Sequence, residues 1–129
     1  MAENPIAAWH RVARDRDVAG LEALLDDDAV FLSPVVHSPQ RGKKLVLMYL
    51  GGAIRVLANP SFRYVREIIG DADAMLEFET EIDGVLVNGV DIIKWNDAGR
   101  IVEFKVMIRP LKAITLVHER MGALLQGPR

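Results

Sequence analysis

The sequence predicts an α+β fold in which helices pack against one face of a curved antiparallel sheet of four long strands. Residues 76–82 alternate between apolar and acidic side chains, which is the period of a half-buried strand. Two turn signals, Asp83-Gly84 and the run 96–99, then divide the following segment into further strands. The length of 129 residues fits one domain, which we predict to span residues 1–129.

Two helices precede the sheet in this prediction. Asn4 is a candidate cap and Pro5 suits the first helical position, and apolar residues then recur at helical spacing over residues 6–13. A second, shorter helix starts near Asp17. The acidic run 26–28 ends it, because three carboxylates at a helix C-terminus oppose the helix dipole.

A short strand and a third helix follow. Residues 30–36 are rich in β-branched side chains and contain Pro34, which predicts a brief strand, belonging to a short strand pair, and then a bend. Gly42 introduces a helix over residues 43–58, which Asn59-Pro60 ends.

After Pro60 the apolar residues no longer recur at helical spacing but at every second position, as in strands. The four long strands contain Phe62 and Tyr64, residues 76–82, residues 85–95 and residues 100–109. Pro110 ends the sheet, and an apolar stripe from 114 to 125 predicts a C-terminal helix. On the last strand the inward positions are predicted to be Val102, Phe104, Val106 and Ile108.

The composition excludes several kinds of chemistry. The chain has no cysteine, which removes thiol catalysis, cysteine-ligated zinc, iron–sulfur clusters and disulfides. A net charge of −2 and the lack of a basic, aromatic patch argue against nucleic acid as a partner. No P-loop or GxGxxG motif is present, and the three histidines lack metal-ligand spacing, so we predict no cofactor and no metal.

Half of the residues are apolar and only 6% are aromatic, which gives a mean hydropathy of +0.14. The apolar stretch 45–54 is too short for a membrane helix, which needs roughly 20 residues. Charged residues interrupt the N-terminal segment before a signal-peptide core forms, so we expect a cytoplasmic protein without a membrane partner. The aliphatic surplus is expected to line a cavity or a subunit interface.

Several short motifs carry a family resemblance. The run 24–31 (LLDDDAVF), Ser33-Pro34, the segment 89–91 (GVD) and the segment 99–103 (GRIVE) resemble the SnoaL-like branch of the nuclear transport factor 2-like superfamily, which has the cystatin-like fold. The resemblance implies a cone-shaped α+β barrel that encloses a pocket, and a homodimer packed through the outer sheet faces. Members include ketosteroid isomerase, limonene epoxide hydrolase, polyketide cyclases, dehydratases and non-enzymatic binding modules, so the fold alone does not select a function.

The chain is distantly similar to ketosteroid isomerase at its site. Asp91 falls where that enzyme carries its oxyanion aspartic acid, whereas Ser33 replaces the aspartate base and Trp9 replaces the oxyanion tyrosine. A serine without a neighbouring base cannot abstract a proton next to a carbonyl. We therefore expect that the chain is not a steroid isomerase working by that mechanism, and the patterns of the cyclases and the epoxide hydrolase are not evident.

Asp91 is the main catalytic candidate. It lies between Val90 and Ile92 in an apolar strand, and if it faces the cone its burial should raise its pKa, as for a general acid/base. The alternative is a structural carboxylate paired with a tyrosine, the Trp9 N–H or a backbone amide. Tyr64 could donate to a ligand or to Asp91, or simply fill the core.

The other polar residues favour structural roles. His10 and His118 are expected at the surface or rim, and His37 near the mouth of the pocket. Ser33 is expected to be a turn residue. Glu77, Glu79 and Glu81 are expected on the outer face, paired with Lys94, Lys105 or Arg63.

Two hypotheses remain. In the first, the chain is a cofactor-independent isomerase-, cyclase- or dehydratase-type enzyme that uses Asp91 on a small hydrophobic carbonyl compound. Its apolar pocket is predicted to be lined by Trp9, Phe31, Ser33, Leu50, Ile54, Tyr64, Phe78, Ile93, Trp95, Phe104 and Ile108. In the second, it is a non-catalytic dimeric module for ligand binding or interaction. In both, Val90, Ile92 and Met107 point outward and suit a homodimer interface.

Overall fold

A computed structural model describes residues 4–126, which form four helices and one six-stranded sheet. The elements are α1 (Ile6–Asp15), α2 (Val18–Leu24), β1 (Leu25–Leu32), β2 (Gln40–Arg41), α3 (Lys43–Leu57), β3 (Arg63–Ile69), β4 (Asp73–Ile82), β5 (Val85–Trp95), β6 (Ile101–Arg109) and α4 (Leu111–Gln126). The strand order is β2-β1-β6-β5-β4-β3, in a curved sheet that does not close. The predicted α+β class is confirmed. The predicted domain 1–129 includes residues 1–3 and 127–129, which lie outside the described residues.

The helix boundaries follow the local signals closely. The Asn4 side chain accepts a hydrogen bond from the Ile6 N–H at 2.8 Å, and α1 begins at Ile6, one residue after Pro5. The Asp17 carboxylate accepts from the Gly20 N–H at 3.0 Å and caps α2. The third helix ends at Leu57, one residue before the predicted end.

α2 ends at Leu24, just before the acidic run 26–28, as predicted, but the run itself lies within β1. This strand pairs in parallel with β6, with Leu25 opposite Ile101 and Val30 opposite Glu103. The irregular register between Leu25 and Val30 turns most of the acidic run toward solvent while the flanking Leu25 stays buried. The acidic run therefore follows the end of the helix, as predicted, but pairing with β6 makes it part of a strand.

The short strand is also placed earlier than predicted, because β1 ends at Leu32. After it the chain bends, and the Ser33 Oγ accepts hydrogen bonds from the N–H groups of Val35 and Val36 at 3.1 and 3.2 Å. Ser33 is thus the predicted turn residue. The predicted short strand pair is formed by β1 and β2, with Val30 opposite Arg41.

The four long strands β3 to β6 form a continuous antiparallel ladder, as predicted. Alternate residues of β4 and β5 face inward and are buried. On β6 the inward residues are Phe104, Val106 and Ile108, but Val102 is only half-buried, contrary to the prediction. A register shift next to Lys94 places Trp95 opposite Ile101, so Ile101 is buried instead.

The inner face of the sheet packs against α1 and α3, and the core lies between these layers. α4 packs against α3 and contacts β5 and β6 at the far end of the sheet. None of the helices described over residues 4–126 is long and apolar enough to cross a membrane.

Candidate functional site

A chain of hydrogen bonds joins three of the predicted site residues inside the core. The Trp9 Nε1–H donates to the Tyr64 hydroxyl oxygen at 2.8 Å. The Tyr64 hydroxyl donates to Asp91 Oδ2 at 2.6 Å. From the sequence we considered Tyr64 and Trp9 as possible partners of Asp91, and the structure brings all three together.

Three elements position this Trp9–Tyr64–Asp91 chain. Trp9 lies on the buried face of α1 and packs against Phe104, with the two ring centroids 4.7 Å apart. Tyr64 lies on β3 opposite Phe78, and its position on the inner face follows from strand alternation. Asp91 lies on β5 between two outward-facing neighbours and is only 5% exposed.

Burial and hydrogen bonding act on the Asp91 carboxyl in opposite directions. Burial raises the pKa of Asp91 to about 7, and the hydrogen bond from Tyr64, which favours the ionised carboxylate, opposes this rise. Burial also raises the pKa of Tyr64 well above its ordinary value, with a further contribution from the nearby Asp91 charge. At neutral pH Asp91 can therefore hold or release a proton, while Tyr64 keeps its own.

Next to Asp91 lies a small cavity of about 30 Å³. About 10–15 Å³ of such space admits one water molecule, so the small cavity is sized for one or two waters and not for a ring. Its walls come from α1, α3 and the sheet, and consist of Trp9, Ala13, Leu50, Ala53, Ile54, Leu57, Ala58, Phe62, Tyr64, Phe78, Asp91, Phe104 and Val106.

A second, larger cavity of about 210 Å³ shares the walls Ala53, Leu57 and Val106 with the small cavity. It lies between α3, α4 and the bend after β1. Its remaining walls are Phe31, Ser33, Pro34, Val35, Val36, Tyr49, Ile108, Val117, His118, Met121, Gly122 and Leu125. Ala53, Leu57 and Val106 thus line both the space next to Asp91 and this mainly apolar second cavity.

The predicted pocket residues are divided between these two spaces. Trp9, Leu50, Ile54, Tyr64, Phe78 and Phe104 line the small cavity, and Phe31, Ser33 and Ile108 line the second one. Ile93 and Trp95 are buried in the core and line neither. Sequence reasoning missed the wall that α4 provides, although the apolar stripe of that helix was visible and only its packing partner was not.

The histidines lie at the periphery. His10 Nε2 forms a hydrogen bond with Glu67 Oε1, and the His10 ring meets the Tyr64 ring edge-on with centroids 5.0 Å apart. His118 is exposed at the rim of the second cavity, and His37 is exposed on the loop after β1. Within residues 4–126 no group of three histidine, aspartate or glutamate side chains is placed to hold a metal ion.

The glutamates of β4 behave as outer-face residues. Glu79 pairs with Arg63 at 2.8 Å, as the sequence predicted, and Glu77 pairs with Arg66 at 3.3 Å. Arg66 was not among the predicted partners. Glu81 lies on the exposed side of the strand, and among the described residues it forms no ion pair.

Comparisons with known proteins give a consistent result. The sequence model of the SnoaL-like domain matches residues 6–104. A steroid delta-isomerase from Pseudomonas aeruginosa is 36% identical, with 94% of this chain and 88% of that chain covered and a TM-score of 0.88. A conserved bacterial protein with a cystatin-like fold from Silicibacter pomeroyi DSS-3 is 30% identical, covering 95% and 85% of the two chains, with a TM-score of 0.87.

An NTF2-like protein from Mesorhizobium loti, at 20% identity, shares the fold, with 81% of this chain and 88% of that chain covered and a TM-score of 0.70. No curated protein sequence matches the chain.

Proposed function

Since this chain belongs to the SnoaL-like domain family, we propose that it catalyses an isomerase-type proton shift on a small apolar carbonyl compound, with Asp91 as acid/base. The observation that carries the proposal is the buried Asp91 carboxyl, held by Tyr64 beside a cavity. The similarity to a steroid delta-isomerase supports the reaction type.

The proton balance needs no cofactor. Ionised Asp91 would take a proton from the carbon next to the carbonyl, and the electrons of the broken C–H bond would pass to the carbonyl oxygen as an enolate. Protonated Asp91 would then return the proton to a different carbon of the conjugated system. Substrate and product are isomers, and Asp91 ends in the state in which it began.

Tyr64 would serve this step through its hydroxyl. While Asp91 is ionised, the Tyr64 O–H is donated to it. Once Asp91 has taken the substrate proton, that hydrogen bond weakens and the hydroxyl is able to donate to the developing oxyanion. The Trp9 N–H, which bonds the same hydroxyl oxygen, would hold Tyr64 in position throughout.

The small cavity cannot hold such a substrate alone. We propose that the substrate body lies in the second cavity and reaches Asp91 when Ala53, Leu57 and Val106 shift. At water's share of about 30 Å³ per non-hydrogen atom, the second cavity would hold roughly seven to ten bonded atoms. The preferred substrate would then be a single-ring compound rather than a steroid.

The test is a screen of β,γ-unsaturated ketones, from cyclohex-3-enone to a steroid, followed by the ultraviolet absorbance of the conjugated product. The wild-type chain is expected to turn over at least one small ketone. Asp91→Asn should lower kcat by about 10²- to 10⁴-fold, the usual range for a lost acid/base. The wild-type rate should rise with pH through about 7, because the ionised carboxylate is the active form.

Asp97→Asn is the matched control, because Asp97 is exposed in the turn between β5 and β6. This variant should leave the rate unchanged. Tyr64→Phe should lower kcat and move the pH midpoint upward, because the hydrogen bond that favours the Asp91 carboxylate is lost. Turnover that survives in Asp91→Asn would rule out the assigned role.

A second candidate is a non-catalytic dimeric module that binds an apolar molecule or has a filled core. The observation in its favour is the size of the small cavity. Moreover, no buried side-chain polar atom of the described residues lacks a hydrogen-bond partner. A folded wild-type chain that turns over none of the ketones would favour this candidate.

A further inference from the structure

An open surface cleft of about 630 Å³ adjoins the small cavity beside Asp91. Four residues, Ala13, Ala58, Phe62 and Tyr64, line both spaces. The floor of the cleft is therefore the outer wall of the small cavity. A molecule resting in the cleft would contact the same aromatic rings that enclose the candidate site.

The rim of this cleft is basic. Arg14 and Arg16, at the end of α1, and Arg63, at the start of β3, line it together with His10. Among the described residues that line the cleft there is no carboxylate. This is a local excess of positive charge on a chain whose net charge is −2.

Three of these basic groups have acidic partners that stand outside the cleft lining. Arg14 pairs with Asp15 at 3.2 Å, Arg63 pairs with Glu79 at 2.8 Å, and His10 pairs with Glu67. Each pair is exposed, so solvent screens it strongly. Arg14 and Arg63 line the cleft, whereas the carboxylates of Asp15 and Glu79 do not.

Arg16 differs from the other three because, within residues 4–126, it forms no ion pair. Its Nε–H donates to the Ala58 carbonyl oxygen at 2.9 Å, which fixes the guanidinium at the cleft edge. The remaining N–H donors of a guanidinium form a planar fork that matches a carboxylate.

The backbone of Arg16 also has an uncommon conformation. Arg16 has φ 52° and ψ 44°, the left-handed conformation that follows α1. Glycine usually occupies this position because it adopts the conformation without steric cost. Arg16 adopts it nonetheless, and its side chain makes the hydrogen bond to Ala58 that a glycine could not make.

We propose that the ligand is an amphipathic carboxylate whose apolar body faces the Asp91 cavity and whose carboxylate binds Arg16 in the cleft. The inference rests on the proposed function, because this ligand lies against the aromatic wall of the Asp91 site. It occupies the cleft and not the second cavity, so it is a separate ligand from the ketone proposed for that cavity.

Isothermal titration calorimetry at low ionic strength with two matched probes tests this inference. Cyclohexanecarboxylate and cyclohexylmethanol have the same ring, and only the first carries a negative charge at neutral pH. The wild-type chain is expected to bind the carboxylate about tenfold more tightly, as expected for one charge-assisted hydrogen-bonded pair. Raising the salt concentration should reduce this preference.

In Arg16→Gln the preference should be lost, while the Kd for cyclohexylmethanol stays unchanged. Glutamine can still donate to the Ala58 carbonyl, so the contact between α1 and α3 is retained. Arg16→Lys, which keeps the charge but not the fork, should keep part of the preference. Arg55→Gln is the matched control, because Arg55 is exposed in the last turn of α3 and does not line the cleft.

The outcomes separate the two proposals. Equal binding of both probes by the wild-type chain would overturn the carboxylate inference and leave the apolar site intact. A carboxylate preference that persists in Arg16→Gln would also overturn it, because the anion would then bind elsewhere. Failure of both probes to bind would argue against the proposed site itself, and the carboxylate inference would fall with it.

Discussion

At Asp91, burial and hydrogen bonding shift the pKa of the carboxyl in opposite directions. Its carboxyl lies in the core, where the charged form is disfavoured, yet it accepts a 2.6 Å hydrogen bond from Tyr64 that favours the charged form. A purely structural carboxyl would gain from a stronger network of donors. With a single tyrosine donor, the carboxyl instead titrates near neutral pH, which suits proton transfer.

This balance predicts how stability depends on pH. Because the pKa of Asp91 is about 7 in the folded chain and 3.8 ordinarily, the folded state binds more protons between these values. The free energy of unfolding should therefore fall as pH rises from about 4 to 7 and then level off. At ~1.4 kcal/mol per pKa unit, this contribution amounts to at most about 4 kcal/mol.

Asp91→Asn should remove this contribution, because the asparagine amide stays neutral. Between pH 5 and pH 8, the free energy of unfolding of the wild type should fall by a few kcal/mol more than that of the variant. Urea denaturation at the two pH values measures it, with Asp97→Asn as the control. Parallel pH profiles for wild type and Asp91→Asn would show that Asp91 does not titrate in this range.

At the scale of elements, the contact between β4 and β5 sets the shape of the site. Phe78 lies directly opposite Gly89, and its ring covers the space that a side chain at 89 would occupy. A Cβ at position 89 would also lie 2.7 Å from the Met107 carbonyl oxygen. Gly89 lies two residues before Asp91 on β5. Because it has no side chain, the Phe78 ring can form a wall of the small cavity.

Gly89→Ala is therefore expected to destabilise the chain by about 1–3 kcal/mol, the usual cost of overpacking a core. Gly51→Ala is the matched control, because nothing lies within 4 Å of a Cβ at that position in α3. The control should be neutral or stabilise the helix by up to about 1 kcal/mol. Thermal or urea unfolding of both variants measures the difference, and equal stability of the two would contradict the proposed packing.

The same elements show what the sequence can predict. The alternation in β4 and β5 depends on neighbouring residues only, so the inward position of Asp91 could be predicted. The acidic run 26–28 was not recognised as part of a strand because β1 pairs in parallel with β6, about 70 residues later in the chain. The division of the predicted pocket into two cavities depends on how α4 packs, and local periodicity does not specify packing partners.

At the scale of the whole molecule, the outer face of the sheet presents apolar side chains in an otherwise charged surface. Ile68, Met75 and Met107 are 60%, 43% and 50% exposed, and Val90 lies opposite Met107. These residues line an outer-face groove of about 350 Å³ together with Arg66 and Arg109. We propose that this face is the homodimer interface, as the family resemblance implies.

Met107→Lys tests that interface. The new charge would join Lys105 and Arg109, which share its side of β6, and a two-fold interface would bring a second copy of all three nearby. Sedimentation equilibrium at micromolar concentration should give twice the 14.3 kDa chain mass for the wild type and the chain mass for the variant. Met48→Lys is the matched control, because Met48 is 48% exposed but lies on α3, and it should stay dimeric. An apolar interface does not tolerate an unpaired buried charge, so a dimer that both variants retain would exclude this face. A monomeric wild type would exclude it as well.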